Sequence, residues 1–305
     1  MELYKKYRPQ ELRGVVGQKN ALLPIVELGK KKKLPHTILF SGPSGVGKTT
    51  TARILAKKVK CKKPDLHEMD AAQVRGIDAI REIADRIRQL PIAGESSVWI
   101  IDEVHQLTGA AVDSFLKILE DTPSYIYFFL CTTNPEKLKR TILTRCHQVK
   151  MVPINDLQMR RLLVLTAKAE GFKLNVEVVD KITENSGGSA RQALVYLNAV
   201  LLIPEPEDQL NAIGSVVAEA SGIDLARLLV KNQCSWRQLT DILGKLKPDD
   251  VETVRWTVMG YCRSILLKEK NPLAARVLDL FLEPFYESKM NGLVAACWRA
   301  RMEEG

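Results

Sequence analysis

The sequence predicts an α/β fold, in which a parallel sheet flanked by helices is followed by all-helical segments. Between residues 36 and 151, short apolar runs with strand character alternate with amphipathic helical patterns, as βαβ units require. A glycine-bearing turn follows the first apolar run. After Pro153 the strand signals disappear, and only helical patterns continue. These three observations define the predicted fold class.

Composition and charge exclude several classes of protein. The chain has 305 residues, 46% hydrophobic and 27% charged, so it can form two or three ordinary cores. Apolar runs such as Tyr125–Cys131 are too short to span a bilayer, and the first residues contain no apolar signal core. We therefore expect a cytoplasmic protein without a membrane partner. The net charge of +9 favours a polyanionic partner without identifying it.

The elements of the α/β part follow in chain order. A modest helical pattern from Asn20 to Gly29 precedes the sheet. Five apolar runs are predicted as strands: Thr37–Phe40, Leu66–Met69, Val98–Ile101, Tyr125–Cys131 and His147–Met151. Three periodic patterns between them are predicted as helices: Thr49–Val59, Ile77–Leu90 and Ala110–Leu119.

Capping residues predict where the first three helices after the sheet begin. Asn155 and Asn175 are predicted to cap helices that end near Glu170 and Gly187. A capping box opens a third helix at Ser189-x-x-Gln192, because each of these side chains can bond the backbone N–H group of the other residue.

The segment Pro204-Glu-Pro206 is predicted to interrupt the chain, and further helices are expected from about Ala220. Later helix starts are predicted at the capping box of Ser235 with Gln238 and at Asn271-Pro272. The change of pattern along the chain gives three predicted domains, which are residues 1–152, 153–221 and 222–305.

The turn after the first strand fits the phosphate-loop pattern GxxxxGK[ST] at every fixed position, from Gly42 to Thr49. Glycines allow backbone N–H groups to turn inward around a phosphate, and the following helix directs its N-terminal dipole at the same anion. Lys48 is predicted to reach the β- and γ-phosphates and Thr49 to ligate Mg²⁺. The predicted nucleotide-binding residues of this segment are Gly42, Pro43, Ser44, Gly45, Val46, Gly47, Lys48, Thr49 and Thr50.

An acidic pair, Asp102-Glu103, follows the apolar strand Val98–Ile101. Together with the phosphate loop, the pair indicates a nucleoside triphosphatase. Asp102 is predicted to hold Mg²⁺, and Glu103 to orient and deprotonate the attacking water. His105 is interpreted as a local hydrogen-bonding residue.

Three further polar residues are ambiguous when taken alone. Thr133, after the strand Tyr125–Cys131, could sense a γ-phosphate or only form the turn before Pro135. Arg145, in Thr144-Arg145-Cys146, is a weak signal by itself, because an arginine at such a place usually forms a surface ion pair. Arg191 lies in the first turn of a capped helix and could equally be structural.

Six segments in order, within residues 4 to 195, resemble the ATPase subunits of sliding-clamp loaders, which are AAA+ ATPases. They are YRPQELRGVVGQ, SGPSGVGKTT, EMDAAQVRGIDAIREI, WIIDEVHQLTGAAVDSFLKILED, TTNPEKLKRTILTRC and GGSARQAL. The chain is similar both to the bacterial DNA polymerase III gamma/tau subunit and to the small subunits of replication factor C. The resemblance implies an AAA+ domain, a helical lid domain and a C-terminal helical collar that oligomerises.

The resemblance also implies roles for individual residues. Thr133 would be the sensor 1 residue, Arg191 the sensor 2 residue of the lid, and Arg145 an arginine finger that acts in trans on the neighbouring subunit's ATP. The adenine would be cradled by Val15 and Val16, with Tyr7, Arg8 and Pro9 near the nucleotide. The residues that face DNA would be Arg75, Ile77 and Arg81, and their contacts would reach phosphates rather than bases.

The chain departs from the family in two places. The finger motif is Thr144-Arg145-Cys146 where the family has Ser-Arg-Cys. Gamma/tau subunits carry a four-cysteine zinc module where residues 60–68 hold only Cys61. The six cysteines are scattered without a CxxC pair, so we predict reduced thiols and no zinc. We also expect no tau-type extension after Gly305, and the source, bacterial or phage, stays open.

The expected function is that of a Mg²⁺-dependent ATPase, which the resemblance places among the subunits of a DNA polymerase holoenzyme. ATP binding and DNA-triggered hydrolysis would load a sliding clamp onto primer–template DNA. The expected partners are other loader subunits in a homo- or hetero-pentamer, the clamp and the DNA. The alternatives are another AAA+ DNA machine (a helicase loader or a branch-migration motor), a nucleotide-binding scaffold subunit without turnover and, more distantly, a P-loop kinase.

Overall fold

The computed structural model describes residues 2–74, 76–231 and 234–302. The chain divides into two compact units, Met1–Asn198 and Ala199–Gly305. The predicted division into three domains stays a prediction. Its second boundary, at residue 221, falls inside one long helix that spans Pro206–Leu229.

The first unit is built on five parallel strands in the order β2-β3-β4-β1-β5. The strands are β1 Thr37–Ser41, β2 Leu66–Asp70, β3 Ser97–Asp102, β4 Ile126–Thr132 and β5 His147–Lys150. The five predicted strands are confirmed, each to within one residue at either end. Because the strands are parallel and β4 lies between β1 and β3, the carboxyl ends of these three strands lie side by side.

Both faces of the sheet are covered by helices, as the predicted α/β fold requires. Alternate residues of β1 point to opposite sides: Ile38 and Phe40 pack into one core, whereas Leu39 packs into the other. The helices of this part are α1 Leu3–Lys6, α2 Lys19–Lys30, α3 Lys48–Lys58, α4 Ile77–Arg86, α5 Gly109–Glu120 and α6 Arg140–Leu143. The predicted helix from Ile77 ends at Arg86, four residues before the predicted end at Leu90. Pro91 disfavours a helical conformation at Leu90 itself.

Three helices follow the sheet, namely α7 Asp156–Ala169, α8 Val176–Asn185 and α9 Ala190–Val200. The caps predicted at Asn155 and Asn175 are present. Asn155 Oδ1 accepts a hydrogen bond from Gln158 N at 2.9 Å, and Asn175 Oδ1 accepts one from Glu177 N at 3.0 Å.

The second unit is helical and contains α10 Pro206–Leu229, α11 Trp236–Leu243, α12 Val251–Leu266, α13 Pro272–Leu280 and α14 Lys289–Met302. The predicted helix starts at Ser235 and Asn271 are confirmed by their side-chain caps. The expectation that helices resume only at about Ala220 is wrong. Pro206 occupies the first helical position of α10, where its fixed φ and missing N–H group favour a helix start rather than an interruption.

A buried arginine connects three parts of the second unit. Arg255 of α12 is 2% exposed, and its Nε lies 2.7 Å from Glu252 Oε2. Its Nη1 donates to the carbonyl oxygens of Phe281 and Leu282, at 3.0 and 3.2 Å. Glu252 in turn accepts a hydrogen bond from Phe285 N at 2.6 Å. The guanidinium therefore satisfies acceptors that α12 and the turn after α13 would otherwise leave without a donor.

No helix in the described ranges is both long enough and apolar enough to cross a membrane.

We expect Arg255→Ala to lower the free energy of unfolding of the second unit by about 3 kcal/mol, because it removes the cationic partner of a partly buried carboxylate and leaves two carbonyl oxygens without the donor described above. Urea unfolding followed by tryptophan fluorescence and circular dichroism would measure this, since Trp236, Trp256 and Trp298 all lie in this unit. Arg263→Ala, which removes an exposed arginine of the same helix, is the matched control. Equal unfolding midpoints for the two variants would contradict the expected role of Arg255.

Candidate nucleotide-binding site

The phosphate loop connects the end of β1 to the start of α3, and three of its glycines have positive φ. The φ values are +143° for Gly42, +77° for Gly45 and +107° for Gly47. A Cβ atom at Gly42 would overlap the carbonyl oxygen of Met151, and one at Gly45 would overlap the hydroxyl of Ser189. The loop conformation and its close neighbours therefore both require glycine.

Lys48 is the first residue of α3, and its side chain folds back over the loop. Its Nζ donates hydrogen bonds to the carbonyl oxygens of Gly42 at 2.7 Å and Pro43 at 2.8 Å. The residue is 7% exposed, and burial lowers the pKa of its amine. The ammonium group is thus held at the mouth of a loop whose N–H groups precede a helix, where an anion is favoured.

Thr49 and Asp102 meet beside the loop, although 53 residues separate them. The Thr49 hydroxyl donates to Asp102 Oδ2 at 2.8 Å. A hydroxyl and a carboxylate are hard oxygen ligands of the kind that Mg²⁺ prefers, and both lie next to the predicted phosphate position. The pair therefore fits the predicted magnesium ion.

Glu103 has a left-handed backbone, with φ 48° and ψ 43°. Its Oε2 accepts hydrogen bonds from the hydroxyl of Thr133 at 2.9 Å and from its backbone N–H at 3.3 Å. A non-glycine residue in this region is strained by about 1 kcal/mol or more, and such strain is concentrated at functional sites. The structure thus brings together the predicted base and the predicted sensor 1 residue.

His105 lies beneath this pair. Its Nδ1 is 3.2 Å from Glu103 Oε2 and 2.9 Å from Thr132 Oγ1. Its side chain is 3% exposed, and burial lowers the pKa of the imidazole. A neutral ring that contacts two polar neighbours is consistent with a local hydrogen-bonding role.

A cleft of about 270 Å³ opens beside the loop. Among the residues that line it are these predicted ones: Tyr7, Arg8, Pro9, Val15, Val16, Ser44, Gly45, Val46, Gly47, Lys48, Thr49, Thr50, Asp102, Glu103 and Arg191. Gly42, Pro43 and Thr133 instead contact members of this set.

Sequence reasoning missed part of the cleft wall. The missed residues are Tyr4, Gly14, Arg53, Ile154, Leu162, Ala190 and Leu194. Leu162 and Leu194 occupy apolar positions of α7 and α9, where helical spacing does not distinguish a residue of a ligand cleft from a core residue. Arg53 could have been suspected, because it lies one helical turn after Thr49 and therefore on the same side of α3. It pairs with Glu68 through Nε and Oε1 at 2.7 Å.

The start of α9 contacts the phosphate loop directly. Arg191 N donates to the carbonyl oxygen of Gly45 at 3.4 Å. The guanidinium of Arg191 lies 6.0 Å from the centre of the Tyr4 ring, within range of a cation–π interaction. The predicted sensor 2 residue thus lies at the cleft together with an aromatic residue that the sequence did not single out.

Arg145 is not among the residues that line this cleft. It forms an exposed ion pair with Glu120, and its Nη1 donates to the carbonyl oxygen of Thr141 at 3.0 Å. The structure therefore does not bring Arg145 to the nucleotide cleft of its own chain.

The predicted DNA-facing residues lie around the start of α4. Arg75 lies outside the described residues. Ile77 begins the helix, and Arg81 forms an exposed ion pair with Asp78 at 2.9 Å.

Cys61 lies between α3 and β2, and burial raises the pKa of its thiol to about 11. Across residues 2–74, 76–231 and 234–302, no group of three or more His, Cys, Asp or Glu side chains is arranged to hold a metal ion. The expectation that the protein has no zinc stays a prediction.

The strand order, the phosphate loop after β1 and the acidic pair after β3 define a P-loop ATPase domain of the AAA+ class. Two family models match parts of the chain, the Rad17 P-loop domain over residues 1–71 and the DNA polymerase III delta subunit over residues 62–155. Curated relatives are subunits of bacterial DNA polymerase III. The predicted resemblance to clamp-loader ATPase subunits of the gamma/tau type is therefore confirmed.

Three of these relatives illustrate the extent of the match. The tau subunit of Bacillus subtilis is 33% identical, over 91% of this chain and 54% of its own length. The gamma/tau subunit of Mycobacterium bovis is 34% identical, over 66% of this chain and 39% of its own length. The gamma subunit of Buchnera aphidicola is 35% identical, over 65% of this chain and 60% of its own length. The chain thus spans about two fifths to three fifths of the length of these relatives.

Solved structures with the same fold include RuvB of Thermotoga maritima, a Holliday junction branch migration motor. One RuvB structure superposes with a TM-score of 0.59 at 17% identity, over 83% of this chain and 90% of that chain. Another RuvB structure gives a TM-score of 0.55 at 18% identity, over 93% of this chain and 88% of that chain. At this identity the likeness confirms the AAA+ fold alone.

We expect Gly45→Ala to weaken ATP binding by about tenfold or more, because the new methyl group would overlap Ser189 and the residue would be held at positive φ. Titration of the chain with a fluorescent ATP analogue would measure the change. Gly29→Ala is the matched control, since a Cβ there meets nothing within 4 Å. An unchanged affinity in Gly45→Ala would show that the close contact between the loop and Ser189 does not matter for binding.

Proposed function

We propose that this chain is the ATPase motor subunit of a DNA sliding-clamp loader, which uses ATP binding and DNA-triggered hydrolysis to load the processivity clamp onto primer–template DNA. The observation that carries the proposal is an assembled P-loop site in a chain whose relatives are gamma/tau subunits at 33 to 35% identity.

In the proposed site, the loop N–H groups and Lys48 bind the phosphates of ATP, while Thr49 and Asp102 hold Mg²⁺. The ion, when bound, neutralises charge on the phosphate oxygens. Residues at the other end of the cleft, from the N-terminal segment and from Val15 and Val16, surround the adenine. The apolar side chains of Leu162 and Leu194 support this assignment, because a base needs apolar contact surface.

Glu103 is the proposed general base, which orients and deprotonates the attacking water. The two hydrogen bonds from Thr133 support this role, since they fix the carboxylate at the tip of β4 beside the phosphate loop. Thr133 then acts as sensor 1. Arg191 acts as sensor 2, contributing positive charge to the γ-phosphate from the lid.

Arg145 is the proposed arginine finger for the ATP of a neighbouring subunit. Its position outside the cleft of its own chain supports action in trans. The ion pair with Glu120 is exposed and therefore weak, so it can be exchanged for a phosphate at an interface.

For DNA, we propose contacts from Arg75, Ile77 and Arg81 to phosphates in the interior of the assembled spiral. The exposure of Arg81 and the net charge of +9 support a polyanionic partner. Contacts of this kind bind DNA without sequence preference.

We propose that the last helices, from about residue 222, form a collar that assembles the subunits into a pentamer, either alone or with other loader subunits. Trp256 and Leu282 support this proposal. Both lie next to Arg255 and are 59% and 55% exposed, and large apolar side chains at a surface favour association.

Two alternatives are retained. A branch-migration motor or helicase loader shares the AAA+ fold, and a strand-displacement assay would distinguish it. A scaffold subunit would bind ATP without turnover, which the presence of both Asp102 and Glu103 at the cleft disfavours.

We expect Glu103→Gln to retain ATP binding but to lower the rate of hydrolysis by roughly 10²- to 10⁴-fold, because an amide cannot accept the proton of the attacking water. Steady-state phosphate release and nucleotide titration measure the two effects separately. Glu95→Gln, at an exposed glutamate paired with Lys60, is the matched control and should leave both unchanged.

We expect primer–template DNA to stimulate the ATPase, and Arg145→Ala to lower the stimulated rate by roughly 10³-fold or more, as the loss of a trans arginine does. The exposed Arg140 of the same segment provides the control variant Arg140→Ala. Hydrolysis by a strictly monomeric form, unchanged by Arg145→Ala, would overturn the trans mechanism. Wild-type protein that binds ATP but stays inactive with DNA would instead favour the scaffold alternative, until a partner subunit or clamp restores activity.

A further inference from the structure

We propose that Glu170 is a positioning residue for the nucleotide. It anchors the N-terminal segment of residues 2–9 to the lid, so that this segment forms one wall of the cleft. The inference rests on the proposed ATP site and adds to it a residue outside the cleft, one that neither the phosphate-loop motif nor the lid motif contains.

Two donors from the N-terminal segment converge on one oxygen of Glu170. The Tyr7 hydroxyl donates to Oε1, and the ammonium of Lys6 lies 2.6 Å from the same atom. Glu170 is the C-cap residue, directly after the last helical residue of α7, and its side chain is 17% exposed. Both contacts span more than 160 positions of the sequence, so they fix the position of the segment within the fold and not its local conformation.

The protonation states agree with this geometry. The hydrogen bonds from Lys6 and Tyr7 lower the pKa of the Glu170 carboxyl, and the hydrogen bond to Glu170 raises the pKa of the Tyr7 hydroxyl. At neutral pH the carboxylate is therefore charged and the phenol keeps the proton that it donates.

The segment needs such an anchor, because it has little structure of its own. The helix α1 has four residues, which is far too short to be stable in isolation. A segment with so little regular structure stays ordered only where tertiary contacts hold it. Leu3, which is 3% exposed, supplies an apolar contact, and Glu170 supplies the polar one.

The anchored segment is also the part of the chain that faces the nucleotide. Tyr4, Tyr7, Arg8 and Pro9 all line the cleft. Leu162, two turns before the end of α7, lines it as well. The helix α7 therefore contributes Leu162 to one wall of the cleft, and Glu170, directly after its end, holds the N-terminal segment that forms another wall. Glu170 itself is not among the lining residues, so it acts through Tyr7 rather than by contact with the ligand.

The test compares two ligands that share their phosphates. ATP needs both ends of the cleft, whereas inorganic tripolyphosphate needs only the loop. We expect Glu170→Ala to weaken ATP binding by roughly fivefold or more and tripolyphosphate binding by less than about twofold. Tyr7→Phe should behave like Glu170→Ala. Glu170→Gln should stay nearer to wild type, because its amide oxygen still accepts from Tyr7.

A second readout does not depend on nucleotide. Release of the segment should speed tryptic cleavage after Lys5 and Lys6 in Glu170→Ala. The control is Glu184→Ala, which removes an exposed carboxylate from α8 of the lid. Thermal unfolding by circular dichroism verifies that each variant is folded.

The outcomes separate this inference from the function on which it rests. Wild-type protein that fails to bind ATP would overturn the proposed site and the positioning role together. Normal wild-type binding, with Glu170→Ala indistinguishable from Glu184→Ala, would overturn the positioning role alone. Equal losses for ATP and tripolyphosphate would also overturn it, since they would indicate a disturbed phosphate loop.

Discussion

The absence of side chains at three positions of the phosphate loop is the constraint on which the rest of the first unit depends. Gly42 lies against the carbonyl of Met151, after β5; Gly45 lies against Ser189, directly before α9; and Gly47 lies close to Val15, in the turn of the N-terminal region. Because each glycine lacks a side chain, a different segment can pack against the loop at each of the three positions. The site forms because these segments, distant in sequence, approach one backbone closely: at Gly42 and Gly45 more closely than a Cβ atom would allow, and at Gly47 with little room for one.

The sheet order adds a second constraint. Because β4 separates β1 from β3, the residues at its tip lie between the phosphate loop and the acidic pair. Thr133 can therefore hold Glu103 while Asp102 reaches Thr49 on the other side. This arrangement gives each of the two acidic residues its own hydrogen-bonding neighbour, Thr49 for Asp102 and Thr133 for Glu103.

Much of this could be predicted from the sequence, and the exceptions have physical causes. Buried parallel strands are continuous apolar runs, so all five were found, and the loop and acidic pair have fixed spacing. The strand order could not be predicted, because crossover lengths alone do not determine it. Leu162 and Glu170 were missed since an apolar or acidic residue on a helix has no local pattern that distinguishes a site from a core or a surface. Pro206 was misjudged because proline both ends and begins helices.

The left-handed backbone at Glu103 also restricts how this site can change over time. Aspartate, asparagine and glycine tolerate such a conformation, whereas β-branched residues do not. A lineage of this fold that dispensed with the carboxylate could therefore replace it most easily by asparagine or glycine, which keep the turn. Glycine would lose the hydrogen bonds that Glu103 accepts from Thr133. A valine or isoleucine at this position would require the turn itself to have been rebuilt. The backbone thus constrains the residue types available at this position even in a chain that no longer needs a carboxylate there.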